Sequence, residues 1–337
     1  MNANSPTVLG LDIGGANLKA ATAAGRAISV PFALWKQPDA LPTALASLAA
    51  QFPEIDEFAV TMTGELCDCY ATKREGVNRI LDAVEFAANP SRERQRPARV
   101  WSTSGNWLSV AEARIQTLAV AASNWHALAS FAGRFAPMGN GLLIDIGSTT
   151  TDIIPLLWSD LFSRGKSDFD RLRSGELIYV GVKRTPIMAL GMPNLCAEYF
   201  ADTRDVHIAL RQIPEEPAST DTADGRSATI LNSLDRLARM FGADRDTADV
   251  EKILCFALRC FQRQSAVIAE ALRRVTPSEL QTLVVSGAGE WLARHIFENA
   301  YPDLKPSIVA LSAELGPEVS ACAPAYAVAV LASEKSA

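Results

Sequence analysis

Leu142-Leu143-Ile144-Asp145-Ile146-Gly147-Ser148-Thr149-Thr150-Thr151-Asp152 decides the fold of this 337-residue chain. An apolar run ends in Asp-Ile-Gly, hydroxyls follow without a break from Ser148 to Thr151, and a second carboxylate stands at Asp152. Such a stretch predicts a hairpin whose tight turn offers bare backbone N–H groups and hydroxyls to an anion. Asp145, at the strand end, can hold Mg²⁺ or orient a water. A plain strand-turn-strand has little use for so many hydroxyls. The pattern has an earlier copy, Val8-Leu9-Gly10-Leu11-Asp12-Ile13-Gly14-Gly15-Ala16-Asn17-Leu18-Lys19. There Gly14 and Gly15 permit a tight turn and close backbone approach. Lys19 either reaches a phosphate or lies along the strand, and an ordinary Gly-Gly hairpin is the competing reading of this copy. Each copy opens a plausible domain. Together they suggest a duplicated fold closing on one phosphate-bearing ligand.

The composition fits that picture. The length suggests about two domains, and a 48% hydrophobic content is ample for packed cores. A net charge of −6 argues against nucleic-acid binding, which favours a basic face. The apolar runs are too short and interrupted for a transmembrane helix. Met1-Asn2-Ala3-Asn4-Ser5-Pro6 lacks a signal-peptide pattern, so a cytoplasmic protein is expected. The six cysteines are scattered, unlike a secreted disulfide framework. Cys67-Asp68-Cys69 is a close pair, but the three histidines (His126, His207, His295) lie far off in sequence. The pair therefore reads as small residues beside a binding loop rather than as a metal site.

Strands are predicted over 7–12, 18–22, 27–34, 57–62 and 98–101, then over 141–145, 152–157, 177–182, 282–285 and 307–311. Helices are predicted over 41–51, 74–88, 111–135, 228–241, 249–275, 291–299 and 319–333. In 74–88, for example, Val77, Ile80, Leu81 and Val84 fall on one helical face. Ser91–Pro97 reads as a charged, solvated connection. Pro137-Met138-Gly139-Asn140-Gly141 is the candidate domain boundary. Residues 1–137, joined by a C-terminal helix 319–337, form one expected domain. Residues 138–318 form the other, with an irregular insertion over 202–227. Strands followed by helices, twice over, fit a βββαβα-type duplicated α/β architecture.

Other segments can supply chemistry. Ser286-Gly287-Ala288-Gly289-Glu290 joins a strand to a helix and can bring backbone beside a ligand, although glycine there could serve packing alone. It falls short of a dinucleotide fingerprint. Thr63-Gly64-Glu65 can place a hydroxyl and a carboxylate at the cleft, or simply cap a helix. Asn124 is unusual within a helix and can face the cleft, whereas His126 reads as a packed or surface histidine rather than a catalytic one. Lys183 and Arg184 either neutralise an anion or form a solvated pair. Serine-hydrolase elbows and His-Glu-x-x-His are absent from the sequence.

At Asp12-Ile13-Gly14-Gly15, Asp145-Ile146-Gly147-Ser148-Thr149-Thr150 and Ser286-Gly287-Ala288-Gly289 the chain resembles the phosphate-1, phosphate-2 and adenosine motifs of the actin, sugar kinase and Hsp70 (ASKHA) superfamily. Asp145 to Asp152 is more specifically similar to its hydantoinase A/oxoprolinase branch. Thr63-Gly64-Glu65-Leu66-Cys67-Asp68, Ser123-Asn124-Trp125 and Gly181-Val182-Lys183-Arg184-Thr185-Pro186 resemble a subgroup linked to tetrahydromethanopterin-dependent one-carbon transfer and similar to an enzyme of methanofuran biosynthesis. The resemblance spans residues 8 to about 330 and implies an α/β fold of duplicated ribonuclease-H-like (actin-like ATPase) domains with a cleft between them. Ala16 and Asn17 depart from it, because superfamily kinases carry Ser or Thr there, and this weakens an ATP phosphotransfer reading.

The resemblance implies a transferase that joins an aminomethylfuran-methyl diphosphate to a (glutamyl)tyramine-type phenol and releases diphosphate. Asp12 and Asp145 would hold Mg²⁺. Glu65 and Asp152 are the candidate bases. Gly14, Gly15, Asn17, Lys19, Gly147, Ser148, Thr149 and Thr150 would bind phosphate. Thr63, Gly64, Asn124, Lys183, Arg184, Gly287, Ala288, Gly289 and Glu290 would bind substrate or nucleotide. Mg²⁺ is the expected cofactor, and ATP is admitted but not required. The partners are a small-molecule diphosphate and a phenolic amine, with neither nucleic acid nor membrane; homo-oligomerisation stays open. The alternatives are an ATP-dependent kinase, an oxoprolinase-type amide hydrolase, and a non-catalytic nucleotide-sensing module.

Overall fold

The computed structural model describes residues 6–89 and 95–335. Residues 1–5, 90–94 and 336–337 lie outside it, so the charged connection Ser91–Pro97 is described only from Gln95. The first sheet holds Val8–Ile13 (β1), Asn17–Thr22 (β2), Ala27–Pro31 (β3), Glu57–Met62 (β4), Ala98–Trp101 (β5) and Trp107–Ser109 (β6), in the order β3-β2-β1-β4-β5-β6. The second holds Asn140–Ile146 (β7), Thr151–Leu157 (β8), Asp160–Leu161 (β9), Leu177–Ile178 (β10), Thr282–Ser286 (β11) and Ser307–Ala310 (β12). Its order is β10-β8-β7-β11-β12, with β9 on the edge of β8. Each sheet begins with an antiparallel hairpin and continues through parallel strands. The same plan therefore occurs twice.

The helices in chain order are Leu41–Ala50 (α1), Lys73–Ala88 (α2), Val110–Ile115 (α3), Thr117–Val120 (α4), Asn124–Ala132 (α5), Asp168–Ser174 (α6) and Thr203–Ala209 (α7). Ile230–Arg239 (α8), Val250–Val275 (α9), Glu290–Ala300 (α10), Leu311–Leu315 (α11), Pro317–Ala321 (α12) and Ala323–Lys335 (α13) follow. β1 and β4 are buried at every position because helices cover both faces. Leu45, Leu48, Val77 and Leu81 of α1 and α2 pack on Leu9, Leu11 and Phe58. In the second half Ile253, Phe256, Leu272 and Leu292 pack on Leu142, Ile146 and Leu283. None of the described helices is long and apolar enough to cross a membrane.

α5 and α13 pack on each other between the sheets. α13 lies along β1, β2 and β4, while Trp125, Leu128 and Ala129 of α5 share a core with Leu143, Ile154 and Val284. Gly10 makes this approach feasible: a Cβ there would stand 1.8 Å from the Ala325 carbonyl oxygen. Helix and central strand are in backbone contact.

The structure departs from the sequence reading in several places. Residues 111–135 do not form one helix. The chain breaks into α3, α4 and α5, with Ala122 in the left-handed region at φ 48°. Alanine is a strong helix former, but propensity is a weak prior that tertiary context overrides, and here Ala122 and Asn124 line a cleft. Residues 319–333 likewise split into α12 and α13 at Cys322. The polar stretch 168–174 is helical, capped by Ser167 and ended by Gly175 at φ 85°. Residues 202–227 are not irregular throughout. They begin with α7, every residue of which is buried, held by a capping box between Asp202 and Asp205. The strand expected over 177–182 is confined to β10, and the short β6 and β9 carried too little periodicity to be read.

Gly10→Ala is expected to lower stability by about 3 kcal/mol through overpacking against α13. A thermal unfolding midpoint equal to that of the parent would show that the helix can retreat without cost.

Candidate functional site

The hairpin tips match residue for residue. In the first, Gly14 N–H donates to the Asn17 carbonyl (3.1 Å); in the second, Gly147 N–H donates to that of Thr150 (2.9 Å). Asp12 lies across the ladder from Lys19, and Asp145 from Asp152. The adjoining parallel strand closes each tip in the same way. Thr63 and Gly64 N–H donate to the Ile13 carbonyl (2.9 and 3.0 Å), and Gly289 N–H donates to that of Ile146 (2.9 Å). The amides of Gly15, Ala16, Ser148, Thr149 and Thr150 have no hydrogen-bond partner among the described residues. They are free to receive an anion.

Both tips open into one cleft of about 370 Å³. The expected residues Asp12, Gly14, Gly15, Asn17, Lys19, Thr63, Glu65, Asn124, Ser148, Thr149, Thr150, Asp152 and Arg184 line it. Asp145 and Gly147 are not among the residues that line it; Asp145 lies near the end of β7 and Gly147 in the turn that follows. Gly287, at φ 85°, leaves room for Asp145: a Cβ there would lie 2.6 Å from Asp145 Oδ1. Gly64 packs on the first tip in a comparable way. Glu290 turns elsewhere and accepts from the backbone N–H of Ser312 (2.9 Å). Lys183 pairs with Glu216 instead of lining the cleft. Its segment still supports the site, since Val182 N–H donates to the Gly147 carbonyl (3.0 Å) and Lys183 and Arg184 N–H donate to that of Ser148 (3.0 and 2.9 Å). Arg184 lies over the Trp35 ring, 4.9 Å from its centre, and so joins the two halves.

Carboxylates dominate the electrostatics. Burial pushes the Asp12 carboxyl up, opposed by Lys19, and its Oδ1 is buried without a partner. Burial also pushes Glu65 up to about 7. Glu65 is 1% exposed, and its Oε2 likewise lacks a partner. Asp145 is raised to about 7, first by burial and then by the charge of Asp152. Asp152 is raised by burial, against the pull of Arg171. The partnerless buried oxygens of Asp12 and Glu65 call for a cation or a proton.

The sequence reading missed Arg171, Trp35, Asp168 and Tyr179, all of which line the cleft. Arg171 Nη2 donates to Asp152 Oδ1 (2.7 Å) and to the Glu176 carbonyl (3.0 Å). Its guanidinium lies 3.9 Å from the centre of the Trp125 ring. A buried Asp152 implies such a cation, but nothing in the polar stretch 168–174 marks which one. His126 is packed. It accepts from Trp101 Nε1 (3.1 Å), and burial lowers it to about 4. Cys67 lines the cleft beside Gly15, and all six cysteines are free.

Over 336 residues the chain is 36% identical to the (4-{4-[2-(gamma-L-glutamylamino)ethyl]phenoxymethyl}furan-2-yl)methanamine synthase of Methanocaldococcus jannaschii, covering 96% of this chain and 97% of that one. A synthase of the same name from Methanococcus vannielii is 31% identical over 201 residues, 57% of this chain and 90% of that one. Residues 56–192 match the Hydantoinase/oxoprolinase family. Among solved structures, nucleotide-free acetone carboxylase aligns with a TM-score of 0.51 at 11% identity, over 97% of this chain and 70% of that one. That likeness is one of fold alone. The fold is the actin-like α/β architecture expected from the hairpin loops.

Glu65 makes stability depend on pH. Its carboxyl is raised in the folded chain from 4.5 to about 7, so the folded state holds the extra proton between those values and stability falls as pH rises through them. Glu65→Gln removes this penalty. The variant is expected to be more stable than the parent above pH 7 by on the order of 3 kcal/mol, with the gap closing towards pH 4. Urea unfolding at several pH values measures this, and a gap independent of pH would contradict it.

Proposed function

The chain belongs to the (4-{4-[2-(gamma-L-glutamylamino)ethyl]phenoxymethyl}furan-2-yl)methanamine synthase family, and from that membership we propose that it is a transferase of methanofuran-type cofactor biosynthesis. The phenol oxygen of a tyramine-type acceptor attacks the methylene carbon of an aminomethylfuran-methyl diphosphate. The new C–O bond forms, the bond to diphosphate breaks, and the phenol proton passes to a base. The observation that carries this reading is the pair of matched hairpin tips, with free amides, on either side of one cleft.

The leaving group sets the physical problem. Amides of Gly15, Ala16, Ser148, Thr149 and Thr150, the hydroxyls beside them and Lys19 would receive the charge that develops on diphosphate. The site also suits a hard cation: Asp12 carries an orphaned buried oxygen, and Asp145 and Asp152 face each other across a ladder. Among the described residues no cluster of three or more His, Cys, Asp and Glu is poised to hold a metal. Mg²⁺ needs only one or two carboxylates and completes its shell with phosphate oxygens and water. Asp12 and Asp145 would hold it, and its chemistry is to neutralise a departing diphosphate. Glu65 is the better base, because Asp152 is already bound by Arg171 while Glu65 lines the cleft with a partnerless Oε2 and is pushed up to about 7. The furan ring shares positive charge at the reacting carbon, and closure over the cleft keeps water from capturing it. Six free cysteines suit the reducing cytoplasm.

The match of residues 56–192 to the Hydantoinase/oxoprolinase family supports a second reading, ATP-dependent amide hydrolysis. One comparison separates the two. Purified protein with Mg²⁺, the furanylmethyl diphosphate and γ-glutamyltyramine is expected to release diphosphate and form the aryl ether, both measurable by mass spectrometry. ATP turnover with amides, and no ether, would reverse the order of the readings.

Asp12→Ala and Asp145→Ala are each expected to reduce turnover on the order of 100-fold or more while the thermal midpoint stays near that of the parent. Parental turnover in either variant removes that aspartate from the mechanism. With Glu65 as base, kcat/KM rises with pH through about 7, and Glu65→Gln loses that limb. An unchanged pH profile in the variant assigns the proton to another group.

A further inference from the structure

A second hollow of about 240 Å³ adjoins the cleft, lined by Arg184, Pro186, Tyr199, Asp202, Arg204 and Asp221. Arg184 lines both cavities and forms the wall they share. The floor is the start of α7 and the outer wall is the segment after it. With both carboxyls ionised, the two guanidinium groups and two carboxylates of the hollow cancel; burial and the charge of Asp205 push Asp202 up to about 7, and an ammonium beside it favours the ionised form.

Arg204 is 5% exposed, and its Nε has no partner. Its ion-pair distances are 3.7 Å to Asp202 and 3.8 Å to Glu216, beyond good hydrogen-bond length. Ser219 Oγ is 3.4 Å from Nη1, and the Asp221 carbonyl accepts from Nη2. No carboxylate grips the guanidinium in the fork geometry it is built for. Asp202 is 2% exposed. Its Oδ2 accepts only from the Tyr199 hydroxyl (3.3 Å), while Oδ1 is used in the α7 cap. Neighbouring Asp205 is fully engaged by Arg236 Nη2 (2.6 Å) and Ser233 (2.9 Å), and so does not compete for Arg204. At the mouth, Arg184 and Asp221 stand 3.7 Å apart, with the Asp221 side chain 66% exposed. Each sign of charge is therefore present twice and incompletely answered.

We propose that this hollow is the subsite for the amino-acid head of the phenolic acceptor, with Arg204 and Arg184 receiving its α-carboxylate and Asp202 and Asp221 its α-ammonium. The inference rests on the transferase reading above and names the part of the acceptor that reading leaves unplaced. A γ-glutamyl amide is attached through its side-chain carboxyl. Its α-ammonium and α-carboxylate stay free at the far end of the molecule from the reacting phenol. A neutral site with paired opposite charges matches a zwitterion, and binds neither a simple anion nor a simple cation as well. Its position past Arg184 puts it beyond the cleft in which the phenol and the diphosphate meet.

Two measurements test this. In the first, γ-glutamylethylamide, which has the head but no phenol, is titrated against the protein by ligand-observed NMR. It is expected to bind, and ethylamine is not. Asp221→Asn, at an exposed side chain, and Arg204→Gln should each weaken binding at least tenfold, with Arg204→Lys recovering part of the loss. In the second, kinetics compare γ-glutamyltyramine with tyramine. The variants should raise KM for the glutamylated acceptor at least tenfold at near-parental kcat, and leave KM for tyramine and for the furanylmethyl diphosphate unchanged. Failure of the parent to turn over any acceptor, while γ-glutamylethylamide still binds in a way that depends on Asp221, sinks the reaction and sustains the amino-acid site. Parental turnover with equal losses for both acceptors, or with none in Asp221→Asn, overturns the subsite. So does absence of binding by γ-glutamylethylamide to the parent.

Discussion

A backbone amide with no partner among the described residues is the element on which the rest depends. Each hairpin tip spends one N–H on its own turn, at Gly14 and at Gly147, and leaves the following amides bare. An unpaired amide is costly when buried and useful when it faces a ligand. Much of the surrounding structure serves to hold those groups in place without satisfying them. The 181–184 segment hydrogen-bonds to the carbonyl side of the second tip, and the 63–64 segment does the same for the first. In both cases the acceptors are consumed and the donors are left alone.

The acids show the complementary strategy. Asp12, Glu65, Asp145 and Asp152 all lie in surroundings that disfavour their charge. Only Asp152 has a cation hydrogen-bonded to it, and that cation, Arg171, is itself oriented by the Trp125 ring and the Glu176 carbonyl. A protein gains no stability from orphaned carboxyl oxygens. Their presence around one hollow is characteristic of a functional site that folding energy elsewhere must offset.

What could be read from the sequence, and what could not, divides along local and non-local lines. The two hairpins, the central strands, α2, α8 and α9 are local patterns of apolar spacing, glycine and turn chemistry, and they were legible. So was the shared cleft, because duplicated loops in a duplicated fold face one another. Arg171 was not legible, since burial of an arginine depends on Trp125 and Asp152, which arrive from other elements. Ala122 was not, because an alanine forced into the left-handed region carries no mark of it in its side chain. The burial of α7 was hidden by its polar residues: Asp205 is matched by the Asp202 cap and by Arg236 of α8, and Arg204 lies near Asp202. A run poor in apolar residues reads as surface until its internal pairs are known.

The two tips are twins in backbone but not in charge. Opposite Asp12 the ladder carries Lys19, whereas opposite Asp145 it carries Asp152. One half of the duplicated scaffold thus supplies a positive neighbour, and the other a negative one tied down by an arginine. A molecule with unlike ends would find these halves inequivalent and settle in one direction. Duplication supplied the symmetry of the cradle, and a single exchanged position on its second strand has given it polarity.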